Sequence, residues 1–290
     1  MSNRHKAYPL HQSPLFKLTS KKRLAALLGL SISEMQLLAK SANTLYSEFD
    51  VPKKSGGMRG VENPRRQLKM VQARVAHLLS RIAPPDYLFC PVKGRCYVKN
   101  AAHHLGQRVV HCLDIRKYFP STSSRRIYWF FRSVMQCEKD VAGILAKLAT
   151  YQGHLPTGSP LSPIMAFFAH YDVWEIIAGY CKVHGYRLTV YIDDVTISGA
   201  SLSPNVLWDI KRAIHRAGLL YHKEKHFVDR PSEITGVIVH GERLLVPNRQ
   251  LKKLHEIQRE LKTPISATVE DKLRERLAGL KGQISQIAIA

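Results

Sequence analysis

The chain has 290 residues, 45% of them hydrophobic, which is enough to bury a substantial core and excludes a disordered chain or a small domain held together by disulfides. Lys and Arg number 44 against 22 acidic residues, a net charge of +22 that favours nucleic acid as a partner, although other anionic surfaces such as ribosomes or membranes also attract such a charge. Five cysteines without a CxxC pair indicate free thiols in a reducing compartment, so we expect a cytoplasmic protein. No apolar run is long enough for a membrane span.

The N-terminal part of the chain is predicted to hold helices on either side of a basic loop. Ser31 and Glu34 have the spacing of a capping box at the start of a short helix. Residues 65–82 carry apolar side chains at helical spacing, and Pro64 suits the first turn of that helix. Between them, VPKKSGGMRGVENP (residues 51–64) predicts a hairpin that is either a loop over phosphates or a solvated turn.

A buried strand and several helices are predicted for the middle of the chain. The run RVVHC (residues 108–112) continues into LDIRKYF and indicates a strand that ends on the carboxylate of Asp114. Helices are predicted over residues 124–135 and 138–150. A single long apolar helix is predicted from about residue 163 to residue 183.

A hairpin with two adjacent aspartates is predicted next. In RLTVYIDDVTISG the arms are residues 187–192 and 195–198, with Asp193 and Asp194 at the tip. Adjacent carboxylates in apolar surroundings repel each other, so a divalent cation is a natural partner, although aspartates are also common turn residues. A third carboxylate from Asp114 would complete an all-oxygen site suited to Mg²⁺.

The remainder of the chain is predicted to contain helices and a further hairpin. A helix is expected over residues 203–218, followed by strand-like residues 233–246 with a turn at Gly241. The tail from residue 248 onward indicates two basic helices separated near Pro264.

Four segments in order resemble motifs A to D of reverse transcriptases: LDIRKYFPS, LPTGSPLSP, YIDD and HKEKHF. The resemblance covers about residues 45 to 250. It implies an RNA-directed DNA polymerase, a nucleotidyltransferase with a two-metal-ion mechanism. The implied fold is α+β, a right-hand polymerase with fingers, a palm of antiparallel sheet packed on helices, and a short helical thumb.

The same resemblance implies a division of the chain. Residues 1–107 would form N-terminal helices and fingers, and residues 108–246 the palm, with finger helices inserted at about 124–152. Residues 247–290 would form a helical thumb.

The resemblance also implies the site residues. Two Mg²⁺ ions, for which Mn²⁺ is a substitute, would be held by three catalytic aspartates, Asp114, Asp193 and Asp194. The backbone carbonyl of Ile115 would be a further ligand. Residues expected at the incoming nucleotide are Lys53, Lys54, Arg59, Phe119, Thr157, Gly158 and Lys225. Phe119 fits either a gate against the 2′-hydroxyl or a core aromatic, and Thr157 stands where most relatives carry Gln.

Two further segments resemble bacterial retron reverse transcriptases. NAAHH (residues 100–104) matches an Asn-Ala-x-x-His signature, and ITGV (residues 234–237) is similar to a Val-Thr-Gly triplet. Retron membership implies a structured non-coding RNA as template and primer, dNTPs, a branched single-stranded DNA product (msDNA) primed from an RNA 2′-hydroxyl, an effector protein and a role in antiphage defence. Candidate RNA contacts are Asn100, His104, Thr235, Gly236, Arg249, Lys252 and Lys253.

Two alternatives remain open from the sequence. The chain also fits a reverse transcriptase of another bacterial element, of the group II intron or diversity-generating type. A second alternative is an RNA-binding scaffold without catalysis, which the intact aspartates disfavour.

Overall fold

The computed structural model describes residues 7–53, 56–263 and 266–289. The capping box predicted at Ser31 is present, because its hydroxyl accepts a hydrogen bond from the Glu34 amide at 3.1 Å and the Glu34 carboxylate accepts one from the Ser31 amide at 2.7 Å. The N-terminal elements are helices around a two-stranded hairpin: α1 (Lys21–Leu28), α2 (Ile32–Ser41), β1 (Tyr46–Pro52), β2 (Met58–Pro64) and α3 (Arg66–Ser80).

Helix α3 buries the apolar stripe that predicted it. Leu68, Val75 and Leu79 on this stripe are at most 2% exposed. Pro64 is the last residue of β2 and Arg65 is the N-cap, so Pro64 precedes the first turn of α3 instead of lying in it.

A five-stranded sheet forms the centre of the fold. Its strands are β3 (Leu88–Cys90), β4 (Val109–Ile115), β5 (Arg187–Tyr191), β6 (Asp194–Gly199) and β7 (Tyr221–Val228). Their order is β3-β5-β6-β4-β7, and every neighbouring pair is antiparallel except β3 with β5. The sheet thus takes one strand, β3, from the segment expected to form the fingers.

The helices that follow β3 pack around this sheet and around each other. They are α4 (Tyr97–Ala102), α5 (Tyr118–Ser121), α6 (Ser124–Trp129, continued by a π-helical turn Phe130–Val134), α7 (Lys139–Ala149), α8 (Ser162–Ala169), α9 (Tyr171–Val183) and α10 (Pro204–Arg216). The main core is centred on large buried side chains of these helices, among them Phe130, Phe131 and Trp174.

The single helix predicted for residues 163–183 is wrong, because the chain forms two helices that meet at His170. This residue has φ −115° and ψ 26°, outside the helical range, and its amide closes α8 by donating to the carbonyls of Phe167 and Phe168. The buried imidazole lies 3.3 Å from the Thr122 hydroxyl. A continuous apolar run conceals such a break, since both helices are buried.

The C-terminal elements build a second, smaller core on the other face of β4. They are β8 (Ser232–Ile234), β9 (Val237–His240), β10 (Arg243–Leu245), α11 (Asn248–Glu260) and α12 (Ala267–Ile289). Val110 of β4, Val237 of β9 and Ile287 of α12 meet in this cluster. In the described part of the chain, no helix is both long enough and apolar enough to cross a membrane.

Candidate active site

Strand pairing brings the three predicted catalytic aspartates to one end of the central sheet. Asp114 of β4 lies directly opposite Asp194 of β6 in the antiparallel register. Between β5 and β6, Ile192 adopts a left-handed φ of 57°, which turns the chain sharply at this point. The carbonyl of Asp193 then accepts a hydrogen bond from the Ile115 amide at 2.8 Å, which fixes Asp193 beside β4.

The carboxylates repel each other in a partly buried place. Burial, followed by the charges of Asp193 and Asp114, raises the pKa of Asp194 to about 7. Burial is also the main cause of the raised pKa of Asp193, with Asp114 adding to it. On the other side of β4, the Lys223 ammonium lies 3.3 Å from Asp114 Oδ2, and His222 Nδ1 lies 3.6 Å from Asp114 Oδ1.

The donor set fits a divalent cation, although the side chains are not drawn together into a coordination shell. Among the described residues, no three His, Cys, Asp or Glu side chains are close enough to form a metal cluster. The three aspartates nevertheless offer only oxygen atoms, as Mg²⁺ prefers, and a cation would reverse the raised pKa of Asp194. The Ile115 side chain is fully buried, so this residue could bind a metal ion only through its backbone carbonyl.

A cleft of about 380 Å³ opens beside Asp114 and Asp194. Two lysines of β7 line it, because residues two apart on a strand share a face. Lys223 pairs in register with Asp114, whereas Lys225, the predicted nucleotide contact, pairs with Cys112. Sequence reasoning missed Lys223, and the only signal for it was this two-residue spacing.

The β1–β2 hairpin carries the predicted phosphate-binding cations. Arg59 of β2 is exposed, and its charge partly offsets the burial that raises the pKa of Asp193. Lys53 is exposed directly after β1, and its amide donates to the Gly57 carbonyl at 2.9 Å. Lys54 lies outside the described residues.

Phe119, Thr157 and Gly158 lie on segments next to the aspartates and the hairpin. Phe119 of α5 is half-buried, and its ring stacks on Tyr118 with centroids 6.1 Å apart. The Thr157 hydroxyl donates to the Gly60 carbonyl at 3.0 Å. A Cβ at Gly158 would lie 2.7 Å from the Glu62 carbonyl oxygen, so the close backbone approach expected at this glycine is made to β2.

The predicted RNA contacts at Asn100 and His104 need correction, because both side chains are buried. His104 Nδ1 lies 2.6 Å from the Ser198 hydroxyl and Nε2 lies 2.8 Å from the Thr189 hydroxyl. Asn100 donates to the Thr235 hydroxyl at 3.2 Å. These side chains therefore hold elements together inside the protein and do not reach a surface where RNA could touch them.

The other predicted RNA contacts are accessible to different degrees. Thr235 and Gly236 form a turn with left-handed φ values of 45° and 87°, and both line the cleft. Arg249 is paired with Glu233, with Nη1 2.7 Å from Oε2. Lys252 and Lys253 of α11 are exposed.

Comparisons with known proteins point to one family. A family profile described as "Reverse transcriptase (RNA-dependent DNA polymerase)" matches residues 51–239. The chain is 30% identical over 181 residues to the retron Se72 reverse transcriptase of Salmonella heidelberg, covering 60% of this chain and 47% of that protein. It is 26% identical over 243 residues to the retron Ec86 reverse transcriptase of Escherichia coli, covering 79% of this chain and 75% of that protein.

A third relative comes from another genus. The chain is 30% identical over 246 residues to the retron Mx65 reverse transcriptase of Myxococcus xanthus, covering 74% of this chain and 57% of that protein. The chain thus spans about half to three quarters of the length of these relatives. The resemblance to retron reverse transcriptases and the expected α+β fold class are confirmed. The chain belongs to the reverse transcriptase (RNA-dependent DNA polymerase) family.

Proposed function

We propose that the chain is an RNA-directed DNA polymerase whose catalytic residues are Asp114, Asp193 and Asp194. The observation that carries this proposal is the register of β4 and β6, which sets Asp114 opposite Asp194, the carboxyl whose pKa is raised to about 7 by burial and by the neighbouring carboxylates. Such a group of carboxylates is costly unless cations neutralise it. When bound, two Mg²⁺ or Mn²⁺ ions would activate the primer hydroxyl and stabilise the leaving pyrophosphate.

Four basic residues predicted at the incoming nucleotide would bind its phosphates. Arg59, Lys53 and Lys54 of the hairpin would neutralise the triphosphate, and Lys225 would meet the departing pyrophosphate. Lys223, whose ammonium lies 3.3 Å from Asp114 Oδ2, would balance part of the charge of this carboxylate.

We further propose that the template is a retron RNA. The similarity to three retron reverse transcriptases supports this. In this reading a structured non-coding RNA in a bacterial cytoplasm serves as template and primer, the product is a branched RNA with single-stranded DNA, and an effector protein completes an antiphage system.

Primer extension tests the polymerase assignment. The double substitution Asp193→Ala and Asp194→Ala should abolish Mg²⁺-dependent DNA synthesis on an RNA template, because it removes most of the cation ligands, while RNA binding persists. The matched control is Asp86→Ala with Asp271→Ala, two exposed aspartates outside the cleft, which should extend primers like the parent. An active Asp193/Asp194 double variant would refute the metal assignment.

Sequencing the nucleic acid that copurifies from the native host tests the retron assignment. A structured RNA joined through a 2′-hydroxyl to single-stranded DNA is the expected result. An intron RNA or a diversity-generating template would instead identify another element.

Failure of the parent protein to extend a primer on any RNA template would favour the alternative of an RNA-binding scaffold without catalysis.

A further inference from the structure

The loop of residues 155–161 is hydrogen-bonded to β2 of the hairpin through Thr157. The Thr157 hydroxyl donates to the Gly60 carbonyl at 3.0 Å and accepts from the Glu62 amide at 3.2 Å. The Thr157 amide donates in turn to the Glu62 carboxylate at 3.1 Å. One side chain thus bonds two backbone groups of β2, and the single proton of the Thr157 hydroxyl is already donated to the hairpin.

Gly158 and His154 extend this contact on either side. The Gly158 amide donates to the Glu62 carbonyl at 3.2 Å, and the missing Cβ allows the two backbones to approach. His154 Nε2 lies 2.9 Å from the second oxygen of the Glu62 carboxylate. Every oxygen of Glu62 is therefore engaged with the loop or with the residue that leads into it.

A buried glutamine joins the same loop to β1. Gln72 of α3 is fully buried, and its amide nitrogen donates to the Tyr46 hydroxyl at 2.8 Å and to the Leu148 carbonyl at 2.9 Å. Its amide oxygen accepts a hydrogen bond from the Ser159 hydroxyl at 2.7 Å. Because each polar atom of this buried side chain has a partner, the base of the hairpin and the loop are held as one unit.

This contact between the loop and β2 lies next to Arg59, the residue directly before Gly60. The Thr157 hydroxyl fixes the Gly60 carbonyl and so fixes the backbone from which the exposed Arg59 side chain extends. The Arg59 charge already acts on Asp193 in this arrangement. The loop thus holds the stretch of backbone that carries Arg59.

We propose that Thr157 is a positioning residue that, with Glu62 and Gly158, ties residues 155–161 to β2 and thereby sets the reach of Arg59 toward the triphosphate of the incoming nucleotide. This inference rests on the proposed polymerase function. It assigns Thr157, which the sequence predicts at the incoming nucleotide, a contact inside the protein instead.

A pair of substitutions at Thr157 tests the inference. Thr157→Val keeps the branched shape but loses the hydroxyl, so the KM for dNTP in single-nucleotide extension should rise by about tenfold while kcat stays close to that of the parent. Thr157→Ser retains a hydroxyl and should restore the parent KM. A kcat loss without a KM change, or a change in primer–template affinity instead, would overturn the proposal.

Gly158→Ala approaches the same contact by steric means. Its new Cβ would meet the Glu62 carbonyl oxygen at 2.7 Å and push the loop from β2, so it should raise the KM for dNTP without removing any hydrogen-bonding group. Thr44→Val is the matched control, because the exposed Thr44 hydroxyl bonds only within its own turn, to the Ser41 carbonyl at 2.9 Å. Its KM should equal that of the parent, and a rise as large as that of Thr157→Val would contradict the inference.

Amide hydrogen exchange separates this inference from the proposed function. If the parent protein extends no primer, the polymerase assignment fails, but exchange in a peptide covering residues 58–64 still reports the contact. Faster exchange there in Thr157→Val than in Thr157→Ser and the parent is the expected result. Equal exchange in all three proteins would show that Thr157 does not hold β2.

Discussion

Phe119 lies on α5, directly after the strand that ends on Asp114 and Ile115, and it is backed by aromatic rings. Its ring stacks on Tyr118, which is 4% exposed and contacts the ring of Trp174 with centroids 6.3 Å apart. A half-buried ring with such a backing cannot easily move aside. The packing role and the gate role considered for Phe119 are therefore compatible, since rigidity is what steric selection of a sugar requires.

Removing this ring should relax sugar selection. For Phe119→Ala the preference for dNTP over rNTP, measured as the ratio of kcat/KM values, should fall by about tenfold to hundredfold, because space for a 2′-hydroxyl opens. Phe16→Ala is a matched control, as Phe16 is also half-buried but lies in the N-terminal segment. Unchanged sugar selection in Phe119→Ala would remove this residue from the gate role.

At the scale of elements, His104 joins three of them. It follows α4, and its two ring nitrogens contact hydroxyls of Thr189 on β5 and Ser198 on β6. Burial lowers the pKa of His104 to about 3, so the folded protein keeps this imidazole neutral. In the unfolded chain a histidine titrates near its ordinary value of about 6.5.

This difference predicts a loss of stability in acid. The contribution of neutral His104 is present above pH 6.5 and is lost progressively as the pH falls from about 6.5 toward about 3, because only the unfolded chain binds the proton in that window. Urea unfolding between pH 7.5 and 4.5 should therefore show a pH slope of unfolding free energy that is shallower by about 1.4 kcal/mol per pH unit in His104→Gln.

The exposed His77 of α3 offers the matched control for this measurement. His77→Gln should retain the slope of the parent, because this side chain is exposed on the surface of α3. A His104→Gln variant with the parent slope would mean that His104 does not couple folding to protons.

The sequence predicted elements well where one local rule determined them. The capping box at Ser31, the stripe of α3 and the YIDD hairpin follow from spacing alone. It did not predict β7, whose residues 222–226 are all exposed, so no alternation of apolar and polar residues marks this edge strand. It also did not reveal that Asn100 and His104 are interior residues, since a motif gives no information on burial.

The candidate site shows the same limit. The three aspartates are predicted from their motifs, and the register of β4 with β6 sets two of them, Asp114 and Asp194, opposite each other. Lys223 and the contact of Thr157 with Glu62 depend on pairing between residues about 100 positions apart, which no local pattern in one sequence encodes.

At the scale of the whole molecule, a net charge of +22 is combined with a C-terminal part that is packed onto the sheet. Ile287 of α12 is 2% exposed and packs with residues of α4, β4 and β9. Helix α11 contacts α12 and presents exposed Lys252 and Lys253. The basic helices α11 and α12 are thus packed onto the same body that carries the aspartates. A surface that binds the template backbone near the candidate active site must be attached in this way.

The last prediction follows from counterion release. Each lysine that contacts a phosphate releases about one counterion, so log K for RNA should depend linearly on log salt concentration. For Lys252→Gln with Lys253→Gln this slope should become shallower by about 1.4 to 1.8, measured by fluorescence anisotropy with a structured RNA at several salt concentrations. Loss of charge rather than of packing is the cause, because both side chains are exposed.

A second pair of exposed lysines distinguishes a local contact from a general effect of charge. Lys139 and Lys147 lie on α7, which packs with α2, α3 and α6. Lys139→Gln with Lys147→Gln removes the same two charges from the molecule, but it should leave the salt slope nearly unchanged, since counterion release counts only phosphates in contact. Equal slopes for both double variants would mean that α11 is no RNA-binding surface and that net charge alone attracts the polyanion.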